Sequence, residues 1–225
     1  MGYIFEILYP LNFLPFKFYG IICKADLRKG MGRHMEDKKE LTKDLLTLSF
    51  RELILKTPFD KITIKMITDG AGVIRPTFYK HFQDKYGILE YILQKEIREK
   101  INVLIENHLE NDIFLLLCSC LSKDRAFYKK LYLIEGPNSF EEQMFQFIYE
   151  LIFSLFNKYP LKAPSRLKIL TKESLARFYT FGLADSIKYA MTHDVDYEPK
   201  ELAEVYDYLI HNSVLDLVEF PAKGN

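Results

Sequence analysis

Arg75, Thr77, Tyr79, Lys80 and His81 stand within seven positions of one another and are side chains suited to a polyanion. A guanidinium can grip a guanine edge through two parallel hydrogen bonds, ammonium and imidazole groups meet phosphate oxygens, and hydroxyls bond either. From Lys61 to Lys85 the chain holds five cations (Lys61, Lys65, Arg75, Lys80, Lys85) against two anions (Asp69, Asp84), whereas the whole chain balances 31 against 31. The attraction is therefore a patch and not a field. Each phosphate neutralised contributes about −0.9 to the salt slope of binding, so a small basic surface suffices if a dimer doubles it. A charged face on a short helix is ordinarily just solvated. The scaffold around these residues argues for nucleic acid.

That scaffold is two short helices and a tight turn. Ile62, Met66 and Ile67 recur at helical spacing beside Thr63, whose hydroxyl suits an N-cap, so a first helix is expected over 63–69. Gly70 and Gly72 allow the chain to reverse within about four residues. Pro76 suits the opening turn of a helix and pushes Arg75 out of the helical region, which predicts a second helix over 76–82. On it Phe78 and Phe82 face inward, and the polar residues are left outside.

The stretch FDKITIKMITDGAGVIRPTFYKHFQDKYGIL (59–89), with a helix over 36–56 before it, resembles the DNA-binding domain of the TetR/AcrR family of bacterial transcriptional regulators. The resemblance implies that Arg75, Pro76 and Thr77 meet base edges in the major groove. It implies that Lys65 reaches a base or a phosphate, and that Tyr79, His81, Lys85 and Thr63 contact the phosphate backbone beside the exposed Lys80. Many members have Ser-x-Gly where this chain has Ile74-Arg75-Pro76, which removes a side-chain helix cap and changes the bases read. The runs HFQDKYGILEYI and RFYTFGLADSIKYAM are similar to the subgroup containing the dihydroxyacetone-kinase operon regulator, an activator that works through a kinase-like protein partner.

Everything downstream reads as helix, so the chain is all-α: an N-terminal three-helix helix-turn-helix DNA-binding domain over 35–84, then a helical domain over 85–225. Ile88, Leu89, Ile92, Leu93, Ile97, Ile101, Leu104 and Ile105 mark one long linking helix over 85–107, with further helices near 112–122, 124–134, 140–158, 166–192 and 199–220. Leu202, Val205, Tyr206, Leu209, Ile210, Val214, Leu217 and Val218 form an apolar stripe, and the preceding helix offers Ala176, Gly182, Ala184, Ser186 and Ala190 for close approach. These helices either close the monomer core or build a four-helix interface between two chains. Family resemblance favours the homodimer, which would read a palindromic operator with half-sites about 34 to 36 Å apart. The resemblance also implies a small-molecule effector. Aromatic residues between the two regions are ordinarily core; Tyr128, Tyr132, Tyr149 and Tyr179 are the candidates for the polar lining of a pocket.

Other chemistries find little support. There is no phosphate loop, nucleophile elbow or paired-carboxylate signature, so no catalytic residue is expected. Cys118 and Cys120 point about 200° apart on a helix, and His108, His193 and His211 lack ligand spacing, so neither metal nor cofactor is expected. With Cys23 they make no disulfide framework, which suits a cytoplasmic protein. Residues 1–34 are apolar and aromatic, but Glu6, Lys17, Pro10 and Pro15 make a poor membrane helix, and no signal-peptide layout is present. Arg28-Lys29-Gly30 would have purine-rich codons like a ribosome-binding site, so the segment reads as an over-extended frame before Met31 or Met35, with a tether or regulatory arm as alternatives. The resulting reading is a homodimeric repressor released by an effector. A partner-dependent activator and an interaction protein that does not bind DNA are the alternatives.

Overall fold

Leu46, Phe50 and Ile54 recur every four residues and are at most 3% exposed, which makes α1 (Glu36–Lys56) the inner wall of the N-terminal helices. The computed structural model describes residues 36–158, 160–161, 167–193 and 196–217, and no strand occurs among them. Residues 1–34, read above as an over-extended frame, lie outside the described residues.

A short 3-10 turn, Phe59–Lys61, leads into α2 (Ile64–Gly70). Thr63 caps α2 as expected: its hydroxyl accepts the Met66 N–H at 3.2 Å. At the other end, a Cβ on Gly70 would sit 2.3 Å from Ser49 Oγ, so a larger residue there would force the Ser49 hydroxyl to turn away from α2. Gly72 then adopts φ +65, with Gly72 N bonded to Asp69 O and Val73 N to Thr68 O, which satisfies the last carbonyls of α2.

The recognition-type helix α3 (Arg75–Tyr79) is shorter than the 76–82 expected. Lys80 N and His81 N turn to the carbonyls three residues back, tightening the last turn, although Phe82 N still reaches Phe78 O at 2.9 Å. Ile74 provides no side-chain cap, in keeping with the loss of Ser-x-Gly.

The long linking helix is present but is not one regular helix. α4 (Tyr86–Leu93) passes through a π-helical turn, Gln94–Arg98, into α5 (Glu99–Glu106). Asp84 Oδ1 holds its start, accepting from Tyr86 N and Gly87 N. Ile88, Leu89, Ile92, Leu93, Ile97, Ile101 and Leu104 are buried along one side. The rod ends with the same hydrogen-bond pattern as α2, His108 N to Ile105 O and Leu109 N to Leu104 O. Here a histidine, at φ 57, takes the left-handed position.

Five helices complete the molecule: α6 (Ile113–Lys123), α7 (Arg125–Tyr132), α8 (Phe140–Lys158), α9 (Lys172–Thr192) and α10 (Pro199–His211). α9 begins at a Thr171–Ser174 capping box, later than residue 166. α10 stops at His211 instead of reaching 220, because the Asp216 carboxylate accepts from Ser213 N and Oγ and starts a separate 3-10 turn, Val214–Leu217. The apolar stripe of α10 therefore ends at Ile210, and Val218 lies outside the described residues. A single hydrophobic cluster runs from Phe50 and Phe78 through the rod to Phe127, Phe140, Ile148 and Met191. Among the described residues, no helix is long and apolar enough to cross a membrane.

Candidate nucleic-acid interface

Phe78 has no solvent exposure and Phe82 only 6%, their rings 5.6 Å apart, so α3 is pinned by its apolar side. Every other residue of the cluster is turned outward: Arg75, Pro76, Tyr79 and Lys80 are exposed, Thr77 and His81 partly so, and Lys65 and Thr63 are exposed on α2. Arg75 and Tyr79, one helical turn apart, are not independent. Arg75 Nη2 donates to Tyr79 Oη at 3.1 Å, and the guanidinium lies 5.7 Å from the ring centroid. Such a pair presents the guanidinium in a restrained pose, which lowers the entropy cost of gripping a base edge.

His81 meets cations that the local sequence pattern does not reveal. Its pKa is lowered from 6.5, first by partial burial and then by Lys43, Lys39 and Lys80. Lys39 and Lys43 belong to α1, some forty residues away in sequence, and join the basic surface only because the fold brings α1 near His81. The lowered pKa favours the neutral imidazole, which offers a phosphate a hydrogen bond.

Lys85 also has a duty that the sequence does not show. Its Nζ donates to Phe59 O at 2.6 Å and to Ile62 O at 3.3 Å, and it lies 4.1 Å above the Phe59 ring. Burial lowers its pKa, partly offset by Asp60. Two of the three ammonium donors thus cap the turn that precedes α2, leaving one for a phosphate.

The four tyrosines expected to line a pocket fall into three aromatic groups. Tyr128 and Tyr132 both pack on Phe140, at 5.8 and 5.2 Å. Tyr149 stacks on Phe153, and Tyr179 packs on Phe156. Tyr128 donates to Glu96 Oε2 at 2.7 Å, whereas the fully buried Tyr132 hydroxyl has no protein partner among the described residues. Among those residues no cluster of His, Cys, Asp or Glu could hold a metal ion.

Comparison with known proteins extends this geometry. A family profile described as bacterial regulatory proteins, tetR family, matches residues 51–92, and one described as transcriptional regulator C-terminal region matches 107–212. The curated HTH-type dhaKLM operon transcriptional activator DhaS of Lactococcus lactis is 26% identical over 98 residues, 44% of this chain and 52% of the relative. The matched stretch thus spans about half the length of that relative. Among solved structures, the dihydroxyacetone kinase operon activator DhaS superposes with a TM-score of 0.54 at 21% identity, covering 76% of this chain and 92% of the other. NalD, a secondary repressor of the MexAB-OprM multidrug efflux pump in Pseudomonas aeruginosa, gives a TM-score of 0.48 at 21% identity, over 75% of this chain and 96% of the other.

Proposed function

Because the chain belongs to the TetR family of bacterial regulators, we propose that it is a homodimeric, sequence-specific DNA-binding regulator of transcription. The observation that carries this reading is the outward cluster of Arg75, Thr77, Tyr79 and Lys80 on a helix held rigid by the buried Phe78. In this reading residues 35–84 seat α3 in the major groove. Arg75 and Thr77 read base edges beside Pro76; Tyr79, Lys80, His81, Thr63 and the free donor of Lys85 hold phosphates, and Lys65 reaches either. Lys39 and Lys43 extend the phosphate contacts from α1.

The dimer reading rests on α9 and α10 within 85–225. Phe178, Phe181 and Tyr189 are 73, 59 and 55% exposed, and Val205, Tyr208, Leu209 and Ile210 are exposed on α10. Gly182 has nothing within 4 Å of a Cβ position, so a second chain could approach closely there. Such an apolar patch marks an interface, and two-fold pairing of chains is what a palindromic operator requires. We place this work in the cytoplasm, with release by a small molecule binding near Tyr128, Tyr132, Tyr149 or Tyr179. A second reading, activation through a protein partner, is favoured by the likeness to a relative named as an activator.

Selection of genomic fragments by the purified protein at about physiological salt, followed by sequencing, tests the reading. An enriched palindrome beside one operon supports it. A folded dimer that retains no fragment would sink it in favour of the interaction-protein alternative.

A further inference from the structure

α1 carries two apolar stripes, and among the described residues only one of them is covered. Leu46, Phe50 and Ile54 are buried, whereas Leu41, Leu45, Leu48 and Leu55 are 59, 40, 56 and 46% exposed. The exposed leucines stand four, three and seven positions apart, with Glu52 at the remaining step, which is the seam spacing of a helix that meets a second apolar surface. Single exposed leucines are ordinary, but four aligned on one face of one helix mark a contact. Leu48 also borders a groove of about 210 Å³ between α1 and the rod, beside Tyr91 and Ile92, with room for a ring to settle.

The segment that ends where α1 begins has a matching composition. Counting Met, Ile, Leu, Phe and Tyr, 15 of the first 22 residues are apolar, with charges only at Glu6 and Lys17. Such a sequence gains free energy by leaving water, and its prolines and charges make a membrane a poor destination. Leu41 and Leu55 are about 21 Å apart along the helix at 1.5 Å per residue, and the link 23–35 reaches about 43 Å when extended. Residues 3–22 can therefore turn back along the whole stripe, and a link this short holds them at an effective concentration on the order of millimolar. A second copy of the chain fits less well. The exposed face of α9 and α10 already serves pairing, and another self-complementary face on α1 would join dimers into larger assemblies.

We propose that the leucine stripe of α1 is a docking surface for the chain's own N-terminal segment, residues 3–22, which covers Leu41, Leu45, Leu48 and Leu55. The over-extended frame expected from the sequence would leave this stripe bare, whereas docking makes residues 1–34 a working part of the protein. Docking uses neither the DNA face nor the proposed dimer face, and it does not depend on DNA binding.

The test compares the full chain with the same chain carrying Leu45→Lys and Leu48→Lys together. Both side chains are exposed, so helix content by circular dichroism should stay unchanged; if it falls, Leu41→Gln with Leu55→Gln takes the place of the first pair. Amide hydrogen exchange over 3–22 should be at least about tenfold slower in the full chain than in an unprotected chain, and the substitutions should remove that protection. Fully exposed amides over 3–22, or protection that survives the substitutions, overturns docking. Protection that appears only as protein concentration rises, together with species larger than the dimer in sedimentation, overturns it in favour of a second copy. Untagged protein isolated from its own cells with an intact mass that begins at Met31 or Met35 overturns it as well.

Discussion

The two ends of this molecule treat their aromatic residues in opposite ways. In the N-terminal helices Phe50, Phe59, Phe78 and Phe82 are at most 6% exposed, while on α9 and α10 Phe178, Phe181, Tyr189 and Tyr208 are all more than half exposed. The first region buries these rings within one chain and turns its basic groups to water around α3, although Leu41, Leu45, Leu48 and Leu55 of α1 and Ile74 are exposed as well. The second leaves apolar area uncovered, which another surface must bury to gain the roughly 25 cal/mol per Å² that apolar burial supplies. In the proposed dimer, the pairing of two reading heads would depend on this far end.

The sharpest way to break the comparison is at Phe78. Phe78→Ala should cost about 3–5 kcal/mol of stability by opening a cavity under α3, seen in chemical denaturation as a lower midpoint with an unchanged slope. A loss below 1 kcal/mol would mean that α3 is not held by this anchor. At the other end, Phe178→Glu combined with Phe181→Glu should leave helix content intact and remove at least about 2 kcal/mol of dimer stability, detected by sedimentation as a shift to monomer. Persistent dimers would show that the α9 face is not the interface.

Within the reading head, Arg75 and Lys85 separate two kinds of contribution. Arg75→Ala should leave thermal stability unchanged and lower discrimination at one base pair by about 1–3 kcal/mol. Lys85→Ala should weaken binding to all sequences alike, and it should also lower stability by about 1 kcal/mol, because the Phe59 and Ile62 carbonyls lose the ammonium donor. Binding to cognate and unrelated fragments, measured beside melting curves, checks both. Equal losses on every sequence from the two variants would remove the base-reading role of Arg75.

The turn motif was legible because its determinants are close in sequence. Thr63, Gly72, Pro76, Phe78 and Phe82 each act within a few positions, whereas Gly70 serves the approach to Ser49 of α1 and not the turn. What escaped depends on packing between distant segments. Lys39 and Lys43 reach His81 from α1, about forty residues earlier, Lys85 finds carbonyls more than twenty residues earlier, and Arg51 finds Asp124 73 residues later. The π-helical turn escaped for a different reason, since Leu93, Ile97 and Ile101 keep a four-residue apolar spacing that regular helix also fits. Helix ends were legible where a special residue marks them: Gly72 advertises the end of α2, whereas His108 performs the same termination without a sequence signal.

The smallest expected effect is the most specific to this surface. His81 has a lowered pKa, caused by partial burial and then by Lys43, Lys39 and Lys80, so the free protein favours the neutral ring. In the unfolded chain the ring titrates near its ordinary 6.5. As pH falls below that value the unfolded state takes up the proton first, and stability declines until the folded-state pKa is passed. DNA acts in the opposite direction. A phosphate beside His81 stabilises the imidazolium and offsets the three lysines, so the complex binds a proton that the free protein releases. Affinity for the selected fragment should therefore rise as pH falls from about 7.5 to about 6, while free-protein stability falls over the lower part of that window. His81→Asn keeps a hydrogen-bonding side chain but cannot titrate, and should flatten the affinity profile. If the variant shows the same rise as the wild type, the proton resides elsewhere and His81 does not face a phosphate.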